Sequence, residues 1–223
     1  MPDKTAQSEK TEQATQRNSS TDKMNVSLKD RTHWIFDMDG TLTLAIHDFE
    51  AIRQTLGLPS GQPILEAIAK RPASEAQALN QQLDALEHDI AREASIQPGA
   101  IDLLRTLQAQ GKHIGILTRN GRDIADATLQ AAGLAQFFSP EFIVSRDCCA
   151  AKPLPDGVHL LLERWQAEPE QAVMVGDFLY DLKAGHDTGV ATVHMDVNGE
   201  FAWPELTTVG VTGLDELGTL LGS

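Results

Sequence analysis

Two aspartates stand two residues apart where an apolar run ends: His33-Trp34-Ile35-Phe36 leads into Asp37-Met38-Asp39-Gly40-Thr41. A carboxylate at such a point can attack phosphorus and form an acyl-phosphate, which divides a hydrolysis into two easier steps. That role falls to Asp37. Asp39 is placed to protonate the leaving oxygen and then to activate water as a base. The competing reading of the pair is a solvent-facing turn. The apolar approach weighs against it, because two free carboxylates near a buried strand are costly without a cation.

Three further turns carry polar groups after an apolar run. Thr118 closes HIGILT and precedes Arg119-Asn120-Gly121; Lys152-Pro153 is reached through Asp147; Asp177 follows AVMVG, with Asp181 four residues on. Thr118 can donate to a phosphoryl oxygen or cap the helix beginning near Gly121. Lys152 is a fixed cation for developing phosphoryl charge. The backbone N–H groups of Gly40 and Thr41 can face a phosphate, and Asn120 is expected beside it. Asp37, the main-chain carbonyl of Asp39 and Asp177 are hard oxygen donors of the kind Mg²⁺ prefers. Such an ion would neutralise the carboxylates and polarise the phosphoryl group. Asp181 is expected either to support the ion through water or to orient Lys152. A single aspartate at a strand end is most often a cap or turn former, but four such ends together point to a site.

The elements that must position these groups are legible in the hydrophobic pattern. Strands are predicted at His33–Phe36, His113–Thr118, Phe142–Ser145, Ala172–Gly176, Ala191–Met195 and Thr208–Val211. Helical patterns occupy Ala100–Gln110, Gly121–Ala132, Pro155–Trp165 and Leu179–Thr188, the last ending at a Gly189 C-cap. Alternation of this kind indicates an α/β core with a mostly parallel sheet covered on both faces. In such sheets ligands bind at the carboxyl ends of the strands.

Between the first and second strands, residues 45–96 read as almost wholly helical. The segments are Phe49–Leu56, Ile64–Ala69 and Ser74–Ala94, the last with Leu79, Leu83, Leu86 and Ile90 on one side. That is too much helix for an ordinary crossover, so a small cap is expected. Its Arg53, Arg71 and Arg92 could each face substrate or solvent. His47 and Asp48, a few residues after the first motif, could look into a substrate pocket or serve as a hinge and helix start, and the second reading is preferred. Residues 1–30 are polar, with charges alternating in sign, and are expected to form a disordered tail. The core then comprises 31–44 and 97–223.

The set Asp37-Met38-Asp39-Gly40-Thr41-Leu42, Ile116-Leu117-Thr118, Lys152-Pro153 and Gly176-Asp177-Phe178-Leu179-Tyr180-Asp181 resembles the haloacid dehalogenase-like hydrolase superfamily in order and spacing. The resemblance implies a Rossmann-like core with an inserted helical cap, nearest to the phosphoglycolate-phosphatase-like subgroup. It implies a Mg²⁺-dependent phosphatase acting on a small phosphorylated metabolite through an aspartyl-phosphate. An acid at Asp39 favours phosphoryl transfer over dehalogenation, since dehalogenases of the superfamily lack it. A phosphomutase acting on a sugar phosphate, or a non-catalytic phosphate-binding interaction protein, are the alternatives.

Composition narrows the partners. The 223 residues carry a formal charge of −14, which disfavours nucleic acid. The two cysteines, Cys148 and Cys149, are adjacent and suggest no disulfide framework. With no apolar signal or spanning segment, a cytoplasmic protein without membrane association is expected, as monomer or homodimer. There is no GxxxxGK[ST], HExxH or complete dinucleotide glycine fingerprint.

Overall fold

The computed structural model describes residues 27–222. Six strands form one sheet: β1 (His33–Phe36), β2 (His113–Leu117), β3 (Ile143–Val144), β4 (Ala172–Gly176), β5 (Ala191–Met195) and β6 (Val209–Val211). Their order is β3-β2-β1-β4-β5-β6, and every pairing is parallel. The chain winds outward from β1 to one edge, then returns and winds to the other. β1 therefore lies at the point where strand order reverses, the position where such sheets bind ligands.

Strand alternation sorts the core into two layers. Trp34 and Phe36 of β1, with Val173 and Val175 of β4, face one side. There they meet Leu103, Leu104 and Leu107 of α4 (Ala100–Ala109), Leu129 of α5 (Arg122–Ala131), and Leu214, Leu217 and Leu221 of α8 (Leu214–Gly222). Ile35 of β1 and Met174 of β4 face the other side, against Val158 and Leu161 of α6 (Asp156–Trp165) and Ala184 of α7 (Leu179–Thr188). α8 extends the predicted set; its apolar residues at intervals of three and four are the helical signal. α7 ends as expected at Gly189, whose φ is 80°.

The cap is α1 (Phe49–Thr55), α2 (Ile64–Ala69) and α3 (Ala73–Ala91), closed around its own cluster of Ile52, Leu56, Ile68, Leu79 and Leu83. The two chain segments joining it to the core run antiparallel to each other. Leu44 N–H donates to Ser95 O and Gln97 N–H donates to Leu42 O, both at 2.9 Å. Among the described residues, no helix is long and apolar enough to cross a membrane.

The tail predicted for residues 1–30 falls outside the described residues as far as 26. Its end departs from expectation: Leu28–Asp30 form a single 3-10 turn and Leu28 is buried in the core beside α8. Burying the Leu28 side chain is worth about 2 kcal/mol, and Lys112 Nζ donates to Lys29 O at 2.7 Å beside it.

At the amino end of the sheet, His33 and His113 are register partners whose rings stack at 4.7 Å. Burial first, and repulsion from His113 second, lower the His33 pKa from 6.5 to about 4. The folded state therefore holds this ring neutral while the unfolded chain binds a proton at about pH 6.5. The stability this confers is complete above pH 6.5 and lost as pH falls towards 4. Urea unfolding midpoints measured across that window should fall more steeply for wild type than for H33Q; parallel slopes would exclude the effect.

Candidate active site

Adjacent strands bring the sequence motifs together. β2, β1 and β4 are neighbours, so Thr118, Asp37 and Asp177 emerge side by side at their carboxyl ends. Asp37, Asp177 and Asp181 each offer an oxygen within 4.8 Å of the others. Such crowding is unfavourable without a counter-charge. Asp177 is pushed up to about 8, by burial first and then by Asp37 and Asp181. Asp181 is pushed up to about 6 by burial and Asp37, against the pull of Lys152. Buried carboxylates repelling one another around a shared point suit a divalent cation, whose charge would remove both causes of the shift.

Lys152 lies on the other side of the pair. Its side chain is 2% exposed, and Nζ sits 2.5 Å from Asp37 Oδ1 and 2.6 Å from Asp181 Oδ1. Burial pulls the ammonium pKa down, but Asp181 and Asp37 together leave it raised. Asp181 therefore reaches both the acidic cluster and the lysine, which joins its two expected roles. It also accepts from Phe178 N–H at 3.1 Å and so helps cap α7.

Gly40 and Thr41 differ from expectation. Their N–H groups do not face a phosphate: Gly40 donates to Thr43 O at 2.9 Å and Thr41 donates to Met38 O at 3.2 Å. The loop turns so tightly after Asp37 that these donors close it on itself. Both residues shape the acidic cluster instead. Gly40 has φ 90°, and a Cβ there would lie 2.3 Å from Asp177 Oδ2. Thr41, fully buried, donates from Oγ1 to Asp177 Oδ1 at 3.1 Å.

Asp39 points away from the cluster, so only its main-chain carbonyl remains as an expected metal ligand. Its Oδ2 accepts from Asn120 Nδ2 at 2.7 Å, and Oδ1 lies 4.0 Å from His47 Nδ1. Burial leads in raising its pKa, Asp37 adds to the rise, and His47, Asn120 and Lys152 oppose it. Asn120, expected beside the phosphate, is thus engaged in holding Asp39. Thr118 is 2% exposed, and its Oγ1 accepts from Asn120 N–H at 3.1 Å, which leaves the hydroxyl proton free to donate. It does not cap α5; Asp147 Oδ2 does so, accepting from Arg122 N–H at 2.7 Å.

The cap roofs these groups over a cavity of about 420 Å³. Two core arginines reach up to it. Arg119 binds Glu66 of α2 through both carboxylate oxygens at 2.9 Å, donates to Lys152 O, and lies 4.9 Å from the Tyr180 ring centre. Arg146 meets Asp84 at 2.5 Å and Glu87 at 2.9 Å, both on α3. Of the three cap arginines, Arg53 lines the cavity and pairs with Glu50 at 2.8 Å. Arg71 and Arg92 pair with Glu75 and Asp89 on their own helix or its end.

Residues 33–189 match the family described as haloacid dehalogenase-like hydrolase. The chain belongs to this family. It is 30% identical over 190 residues to an uncharacterised hydrolase of Saccharomyces cerevisiae, covering 82% of this chain and 87% of that one. It is 32% identical over 189 residues to a phosphoglycolate phosphatase of Rhodospirillum rubrum, covering 72% and 78%. Among solved structures, a haloacid dehalogenase-like hydrolase from Entamoeba histolytica superposes with a TM-score of 0.71 at 16% identity, over 86% of this chain and 99% of that one. CbbY from Rhodobacter sphaeroides in complex with phosphate superposes with a TM-score of 0.65 at 22% identity, over 86% and 100%. The haloacid dehalogenase-like fold, with its small helical cap, thus accounts for the whole described architecture.

For this hydrolase, sequence reasoning left Glu87 and Arg146 out of the site. His47, weighed as a pocket residue against a hinge, lines the cavity with its ring stacked on Phe49 at 5.4 Å. Glu87 had a visible signal: it follows Leu79 and Leu83 at four-residue spacing, an acid on the buried face of α3. Arg146 lies just past β3, another strand end.

Replacing Asp177, which without metal must take up a proton at neutral pH to be tolerated in the cluster, should raise stability while removing a ligand. D177N keeps an oxygen for Thr41, so without metal its melting temperature should rise by about 2–4 °C. The stabilisation that Mg²⁺ gives the wild type should be absent. A thermal-shift series with and without MgCl₂ checks both.

Proposed function

We propose that this hydrolase is a Mg²⁺-dependent phosphatase that cleaves a small phosphomonoester through an aspartyl-phosphate on Asp37. The observation that carries this reading is the arrangement around Asp37: it clusters with Asp177 and Asp181, while Oδ1 meets Lys152 at 2.5 Å. Asp37, Asp177, Asp181 and the main-chain carbonyl of Asp39 would hold the ion. When bound, it would supply Lewis-acid polarisation of the phosphoryl group and neutralise the carboxylates.

The protein's own groups do the rest. Asp37 attacks phosphorus with one carboxylate oxygen, and the bond to the leaving oxygen breaks. Asp39, with its raised pKa, carries a proton to that oxygen and afterwards takes one from water, which attacks the acyl-phosphate. Asn120 keeps Asp39 pointed at this task. Lys152 and the Thr118 hydroxyl stabilise charge on the transferring oxygens, a fixed arrangement that needs no reorganisation during reaction. The similarity to a phosphoglycolate phosphatase supports a small phosphoester substrate.

Phosphate release from p-nitrophenyl phosphate should require Mg²⁺. D37N should lower turnover by about 10³-fold or more, as expected for loss of a nucleophile. Turnover by D37N equal to wild type would remove Asp37 from the mechanism. Isomerised sugar phosphate without phosphate release would indicate a mutase.

A further inference from the structure

The cavity bounded by core and cap extends beyond the groups that handle the phosphate, and its charges are already matched. The three arginines on its walls, Arg53, Arg119 and Arg146, are each paired with a carboxylate, and Lys152 is held by two. A phosphate dianion has the phosphate end of the site to itself. A second negative charge on the leaving group would find every lysine and arginine among the described residues lining the cavity already paired, with Glu87 also in that lining.

Two polar atoms in the same cavity have the opposite character. His47 Nδ1 and Glu87 Oε2 are buried and make no hydrogen bond. Arg146 forms an ion pair with Glu87 Oε2 at 2.9 Å. Glu87 is 9% exposed, and the His47 side chain is 8% exposed. Glu87 has Arg146 as its ion-pair partner, yet its carboxylate, like the His47 ring nitrogen, keeps capacity for a further hydrogen bond. A hydroxyl can fill it: it donates to a carboxylate, and it can donate to or accept from an imidazole nitrogen. Burial raises the Glu87 pKa against the pull of Arg146 and His47, so the group is poorly solvated.

We propose that Glu87, with His47, determines specificity by binding a hydroxyl of the leaving group and rejecting a leaving group with a second negative charge. The substrate class is then the phosphate monoester of an uncharged, hydroxylated alcohol. This rests on the phosphatase reading above and narrows it. The cavity has room for such a group: about 420 Å³ is roughly fourteen times the volume of a water in the liquid. A carboxylate ester such as phosphoglycolate would place its charge against an acidic wall. Like charges juxtaposed in a desolvated site are strongly discriminated against.

Matched esters test this directly. Glycerol 3-phosphate and 3-phosphoglycerate differ by a hydroxymethyl against a carboxylate, as do 2-hydroxyethyl phosphate and 2-phosphoglycolate. In each pair the neutral ester should have a kcat/KM about 100-fold higher. E87Q should narrow the ratio by about tenfold or more, by lowering KM for the carboxylate ester, since it removes the like charge and releases Arg146. A merely structural role for Glu87 would change both members equally. Titration calorimetry of the same esters into D37N reads preference without turnover. If no ester, including p-nitrophenyl phosphate, is hydrolysed, the phosphatase reading fails, while tighter binding of the neutral esters still supports the specificity assignment. Carboxylate esters bound or hydrolysed as well as their neutral partners would overturn it.

Discussion

The buried contact between Lys152 and two aspartates governs this molecule. An ammonium and a group of carboxylates are drawn out of water together, and each is tolerable only because the others are there. The consequence is a division of labour among the acids. Lys152 pairs with both Asp37 and Asp181, and Asp177 completes the acidic cluster with them. Asp177, which forms no ion pair with the lysine, is pushed up to about 8. The rest of the core can be understood as holding this arrangement. Three neighbouring parallel strands deliver the groups, Gly40 leaves room for Asp177, and Thr41 fixes its orientation.

A second set of charges ties the roof to the floor. Arg119 and Arg146 come from loops that follow β2 and β3, and their carboxylate partners are in α2 and α3. Arg119 also contacts the backbone of Lys152 and the face of Tyr180. The cap is therefore in direct communication with the residue that neutralises Asp37. Ion pairs of this kind at partly exposed positions are individually weak. Their value lies in the geometry they select when the cap is seated.

Much of this was legible beforehand. Strand ends were marked by the abrupt change from apolar runs to Asp37, Thr118 and Asp177. Strand boundaries shifted by at most one residue at either end, as where His113–Thr118 became His113–Leu117, while the long cap helix expected to reach Ala94 stops at Ala91. The fine structure of the first loop was hidden. Gly40 and Thr41 looked like phosphate donors because glycine-containing turns often expose N–H groups. Whether those groups face outward depends on closure against Met38 and Thr43, a matter of three-dimensional turn geometry. The cap contribution was also hidden, because a charged residue on a helix carries no sequence mark of what lies opposite. Glu87 was the exception, betrayed by its place in line with Leu79 and Leu83.

The paired connections at the base of the cap carry a wider consequence. Entry and exit strands lie beside each other, joined by hydrogen bonds between residues 42–44 and 95–97. From the core's side, the whole cap is an excursion that begins and ends at nearly one point. Its length and internal design are then free to vary without altering the distance the core must span. A catalytic floor built this way can exchange its roof, acquiring a new recognition chamber while the reacting groups stay where they are.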